Sequence, residues 1–114
     1  MDEVGNINID EWFTPDTYDT NYKELPQTPG VYLLVLREVF PEKRRMDRTL
    51  IYVGSSDNLA IRCRSHPIKN KALREYKGDA IVSVARYFKE CDDYRVVEKN
   101  LIKSTQARYN KQWR

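Results

Sequence analysis

The chain is poor in residues that hold soft metals. Among 114 residues there are two cysteines and one histidine. Cys63 and Cys91 lie far apart, without C-x-x-C spacing and without histidine companions, so a zinc site is not expected. They read as reduced thiols, which places the expected protein inside the cell, in the cytoplasm. The longest apolar run is six residues, and a helix needs about 20 to span a bilayer, so no membrane partner is expected. No charged leader followed by an apolar segment opens the chain, so no secretory signal is expected. Internal repeats and low-complexity tracts are absent. So are a helix-turn-helix and a zinc finger, and any sequence preference toward a nucleic acid must be low, structural, or borrowed from a protein partner.

What is present fits one folded domain. Apolar residues make up 40% and charged residues 32% of the chain, the profile of a soluble globular protein with a core of its own. The net charge of +3 hides an asymmetry. Residues 1–25 hold seven acids and one base, a balance of −6; residues 26–114 carry +9. A compact basic body suits a polyanion, nucleic acid first, although a plain solvated surface has the same signature.

Residues 1–28 have weak periodicity, breaks at Pro15 and Pro26, and scattered aromatics at Trp12, Phe13, Tyr18 and Tyr22. They read as an acidic N-terminal arm wrapping a body of residues 29–114. Residues 30–37, GVYLLVLR, are predicted as a central strand, apolar on both faces. A long polar loop with Pro41 and five bases is expected over 37–49, and a returning strand over 49–54. DNLAIRCRSHP reads as a helix capped by Ser56 or Asp57 and ended by Pro67. AIVSVARYF, 80–88, reads as a third strand. DDYRVVEKNLIKSTQ reads as a second helix with an aspartate N-cap. The expected fold is α+β: a small mixed three-stranded sheet flanked by helices, with an N-terminal arm.

The chemistry lies in polar residues on apolar faces. Leu59, Arg62, Cys63 and His66 follow the i, i+3, i+4, i+7 rule and share a helix face. Tyr94, Val97, Glu98, Leu101 and Ile102 share another, with Arg95, Lys99 and Lys103 opposite. A carboxylate in an apolar stripe must be paired, bound to metal, or set at the rim of a cleft. An interhelical Arg62–Glu98 salt bridge is one reading. The other joins Arg62, His66 and Glu98 to the strand tyrosines Tyr32 and Tyr52 in a site for phosphodiester hydrolysis. There a tyrosine or histidine activates water. Arg62 stabilises charge on the phosphoryl oxygens. A divalent ion neutralises the leaving oxygen.

GVY at 30–32 followed by YVG at 52–54 resembles the signature pair of the GIY-YIG nucleases, and YVGSSDNLAIRCRSH resembles their second signature strand running into the first helix. Arg62, eight residues after Gly54, falls at the family's catalytic arginine, and His66 where members carry His or Tyr. VEKNLIKSTQARYN resembles the segment holding the metal-binding glutamate, Glu98, and the asparagine that steadies the site, Asn110. The resemblance covers residues 29–111. It implies a DNA endonuclease that cuts one strand per active site with one Mg²⁺ or Mn²⁺ ion held by Glu98. Tyr32 is implied as general base, with Tyr52 positioning water or phosphate; the assignment between the two tyrosines stays open. Candidate DNA contacts are Ser55, Arg64 and the bases Lys43, Arg44 and Arg45, the last three in a loop longer than the family's usual one that reads as an added contact. Ser55 stands where repair members often carry a base, which leans toward phage-type or homing-type nucleases. The rival functions are a catalytically silent nucleic-acid-binding module acting with a partner, and an interaction domain built around an Arg62–Glu98 pair.

Overall fold

The computed structural model describes residues 3–4, 7–8, 13–15, 26–63 and 66–110. Arg64, Trp12, Tyr18, Tyr22 and most of the acidic arm lie outside these. The described strands are β1 (Glu3–Val4), β2 (Ile7–Asn8), β3 (Thr14–Pro15), β4 (Gly30–Phe40), β5 (Arg45–Ser56) and β6 (Ile81–Glu90). The helices are α1 (Leu59–Cys63), α2 (Pro67–Glu75) and α3 (Tyr94–Thr105). The fold is α+β. Its sheet has the order β3-β6-β4-β5, three long strands extended by the two-residue β3, and β1 and β2 form a second, two-stranded sheet. Every pairing among the described strands is antiparallel.

β4 sits between β6 and β5 because its residues Val31 to Leu36 are apolar on both faces, and all of them are buried. Its odd positions Val31, Leu33 and Val35 pack with Leu50, Val53, Ala85 and Tyr87 under α3, where Ile102 and Ala107 close the core. Phe13 joins this cluster, so part of the 1–28 segment belongs to the core. The even positions Tyr32, Leu34 and Leu36 pack with Ile51, Val84, Leu59, Ala60, Cys63 and Ala72 under α1 and α2.

Two connections differ from expectation. The polar loop expected over 37–49 is strand on both sides of a short 3-10 turn, Pro41–Lys43, closed by Arg44 at φ 49°. Its charges looked like loop because like signs face each other, Arg37 opposite Arg48 and Glu38 opposite Asp47. Such pairs are normally unfavourable. Here each charge has another partner. Arg37 Nε donates to Ser83 Oγ (3.2 Å) and Arg48 Nη1 to Tyr87 Oη (3.1 Å). Tyr76 Oη donates to Glu38 Oε2 (2.9 Å), and Arg45 pairs with Asp47 (3.3 Å).

The helix expected over 57–66 is also shorter. Its N-cap is Asn58, whose Oδ1 accepts from the Ile61 amide (3.1 Å), and not Ser56 or Asp57. α1 stops at Cys63, and Pro67 opens α2 instead of ending α1. Proline suits the first helical position, where its missing N–H would have no intrahelical partner. The first amides of α1 are satisfied by the preceding segment: Leu59 N–H donates to the Thr28 carbonyl (3.0 Å) and Ala60 N–H to the Pro26 carbonyl (3.1 Å). Gly30 permits this approach, since a Cβ there would lie 2.8 Å from Leu59 Cδ1 and overlap the Lys89 carbonyl.

Candidate active site at the sheet edge

The site residues gather at the end of the sheet where Gly30 pairs with Ser56. A one-residue offset in β5 arranges them. The register runs Leu34 opposite Tyr52 and then Val35 opposite Leu50, so Ile51 is the extra residue of a bulge. Strict alternation would send Ile51 and Tyr52 to opposite faces. With the bulge both pack on the α1–α2 face, beside Tyr32. The rings of Tyr32 and Tyr52 lie 6.2 Å apart, and His66 stands 5.4 Å from the first and 5.0 Å from the second.

Gly54 faces Tyr32 directly across the strands. A methyl group on Gly54 would overlap Cζ and Oη of Tyr32, so the phenol lies across the bare glycine and reaches the β5 edge. The Tyr32 hydroxyl is 2.8 Å from His66 Nε2. His66 Nδ1 accepts from the Ile68 amide (3.2 Å), which makes His66 the N-cap of α2 and not a member of the helix that carries Arg62. Burial, followed by the Arg62 charge, lowers the His66 pKa from 6.5 to about 4, so the ring is neutral at ordinary pH. Burial, reinforced by Tyr52, raises the Tyr32 phenol far above its ordinary range, and Arg62 opposes the rise.

Tyr32 is fully buried, at 0% exposure. Tyr52 is half-buried and so the more exposed of the two. Arg62 is exposed on α1, with its charge felt at both Tyr32 and His66.

Glu98 reaches the same edge from the other side. It is half-buried on α3, on the stripe with Tyr94, Val97, Leu101 and Ile102, while Arg95, Lys99 and Lys103 are exposed as expected. Ser55 Oγ donates to Glu98 Oε1 at 2.6 Å. Ser55 adjoins Gly54, so the carboxylate is held one residue from the place where the Tyr32 phenol crosses β5, and its charge is felt at Tyr32. Among the described residues no ion pair joins Arg62 to Glu98. That removes the premise of the salt-bridge reading.

Asn110 holds the β5 edge as a strand partner would. Its Oδ1 accepts from the Val53 amide and its Nδ2 donates to the Val53 carbonyl, each at 2.8 Å. The Tyr109 amide donates to the Ile51 carbonyl (2.9 Å). These bonds fix the backbone on either side of Tyr52.

The expected DNA contacts do not gather here. The Ser55 hydroxyl is engaged by Glu98. Lys43, Arg44 and Arg45 are exposed at the hairpin tip, with Lys43 and Arg45 over the Phe40 ring at 5.5 and 4.6 Å. Tyr52 lies opposite Leu34, six strand steps from Phe40, roughly 20 Å at the usual rise, so the tip does not reach a phosphate bound at Tyr52. Arg64 lies outside the described residues. Sequence reasoning missed Arg86, which is 2% exposed on the α1–α2 face with Nη1 3.5 Å from the Cys63 carbonyl. The signal was an arginine inside the apolar run AIVSVARYF.

Among the described residues no three His, Cys, Asp or Glu side chains converge, so a protein-only cage for a metal is not built. A single carboxylate nonetheless fits Mg²⁺, which keeps several waters and binds through one or two carboxylates plus substrate phosphate. Ser55 engages Oε1, and Oε2 of Glu98 remains for such an ion.

No family model, no curated protein and no solved structure matches this chain.

Proposed function

We propose that the chain is a DNA endonuclease of the GIY-YIG kind, using one Mg²⁺ or Mn²⁺ ion to cut one strand per site. The observation that supports it is convergence at one sheet edge. Two phenols, an imidazole, an exposed guanidinium and a half-buried carboxylate come from β4, β5, the α2 cap, α1 and α3. The alternation of the strands does not by itself require this meeting.

Tyr52, the more exposed of the two tyrosines, takes the contact with water or substrate phosphate and serves as the base. Tyr32, implied as the base by family resemblance, is sealed in this structure and acts as support behind Tyr52. Arg62 presents a planar fork to the phosphoryl oxygens, where charge grows in the transition state. Glu98, steadied by the Ser55 hydroxyl, would hold the metal ion. The ion, when bound, supplies charge neutralisation at the departing 3′ oxygen. Asn110 keeps β5 straight through Val53, so that Tyr52 holds its aim. The exposed bases of the hairpin tip contact the DNA backbone about six strand steps away from Tyr52. Among the described residues no helix is long and apolar enough to cross a membrane.

The test is incubation of the purified chain with supercoiled plasmid in Mg²⁺, in Mn²⁺ and in EDTA. Metal-dependent nicking is the expected result. DNA binding without nicking under any of the three conditions would assign the chain to the silent binding module instead.

A further inference from the structure

We infer that His66 is locked in one neutral tautomer by the start of α2, with its proton on Nε2 and donated to Tyr32. His66 is then a positioning residue for Tyr32 and cannot take a proton from it. The geometry runs in one direction. A backbone N–H can only donate, so the 3.2 Å bond from the Ile68 amide makes Nδ1 an acceptor and leaves it bare. A neutral imidazole carries one ring proton, which must therefore sit on Nε2. Nε2 lies 2.8 Å from Tyr32 Oη, so the phenol oxygen accepts.

Proline reinforces the arrangement. Pro67, next in the chain, has no N–H, so the Ile68 amide is the first in α2 that needs a cap, and His66 is the N-cap. The depressed basicity of His66 keeps the ring neutral and the cap intact. A proton relay from Tyr32 onto His66 would need a bare Nε2, which the cap forbids. The Tyr32 proton is left for another acceptor, and its oxygen is held by a donor of fixed direction across Gly54.

The use of this lock in cleavage rests on the nuclease reading; the lock itself does not. The experiment is a long-range ¹H–¹⁵N correlation spectrum of the ¹⁵N-labelled full chain at neutral pH. The chain has one histidine, so one ring pattern is read. The expected pattern shows Nε2 protonated and Nδ1 unprotonated. A protonated Nδ1, or a pattern averaged between tautomers, overturns the proposal. Tyr32→Phe read in the same way asks which neighbour sets the tautomer. The pattern should stay, because Ile68 still donates. A flip to Nδ1–H would mean that Tyr32 set it, and the cap lock would fall. The expected pattern in a protein that never nicks plasmid would uphold the lock and defeat only the nuclease reading.

Discussion

The two faces of the central sheet come from alternate residues of the same strands and serve different ends. Under α3 the buried set is Phe13, Val31, Leu33, Val35, Leu50, Val53, Ala85, Ile102 and Ala107, with Tyr87 the one polar-tipped member from the strands. Under α1 and α2 the same strands bury Tyr32 and Arg86, with His66 beside them and Tyr52 at the rim. The first face is cohesive, and its buried aliphatic set is chemically silent. The second accepts polar groups that each need a partner. The glycine at position 54 lets a phenol from the second face reach the edge, and Ser55, pointing to the first, brings Glu98 there from α3. A site at an edge draws stability from one face and reactive groups from both.

The comparison is broken most heavily by substitution on the silent face. Leu33 is fully buried, and Leu33→Ala should cost about 2–5 kcal/mol in chemical denaturation. Plasmid nicking per folded molecule should stay unchanged. A catalytic defect in the folded fraction would show that the faces are not separable.

Next is acid. The His66 pKa falls from 6.5 to about 4 on folding, so between those values the unfolded chain binds more protons. Stability is full above pH 6.5 and is lost as pH falls toward 4, by about 3 kcal/mol in total for a group this buried. His66→Asn keeps a capping oxygen but has no imidazole. Its melting temperature should fall less steeply than wild type over that window, and parallel slopes would contradict the assignment.

Gly54→Ala should cost about 1–3 kcal/mol, because the new methyl overlaps a buried, rigid ring. It tests the meeting point itself, and nicking should be lost while the fold survives. Retained nicking in a folded Gly54→Ala protein would mean that the Tyr32 phenol need not cross β5. Smallest in stability is the tyrosine pair, since Tyr52→Phe and Tyr32→Phe each remove one hydroxyl. Tyr52→Phe should abolish nicking and Tyr32→Phe should only reduce it. The reverse order would return the base to Tyr32.

Much of this was legible before the structure. Val31 to Leu36 announced a central strand because a run apolar on both faces has few other places to go. The α3 stripe marked Glu98 by its period. What escaped were features set by tertiary partners. The non-helical backbone at His66 is invisible to periodicity, which carried Arg62 and His66 onto one face; His66 instead caps a new helix that Pro67 opens. The bulge at Ile51 is a register event between strands, and no single strand records it. The hairpin arms were masked by like-charge pairs whose partners Ser83, Tyr87 and Tyr76 lie far along the chain.

The claim that both faces serve one metal-dependent site is tested most directly by Glu98→Gln. The substitution is nearly isosteric and keeps the packing on Tyr94, Val97, Leu101 and Ile102. Melting temperature, DNA affinity and plasmid nicking are measured on one preparation. The account expects a folded protein that binds DNA as well as wild type or better, fails to nick, and is rescued poorly by added Mg²⁺ or Mn²⁺. A stable, DNA-binding Glu98→Gln protein that nicks at the wild-type rate would contradict it.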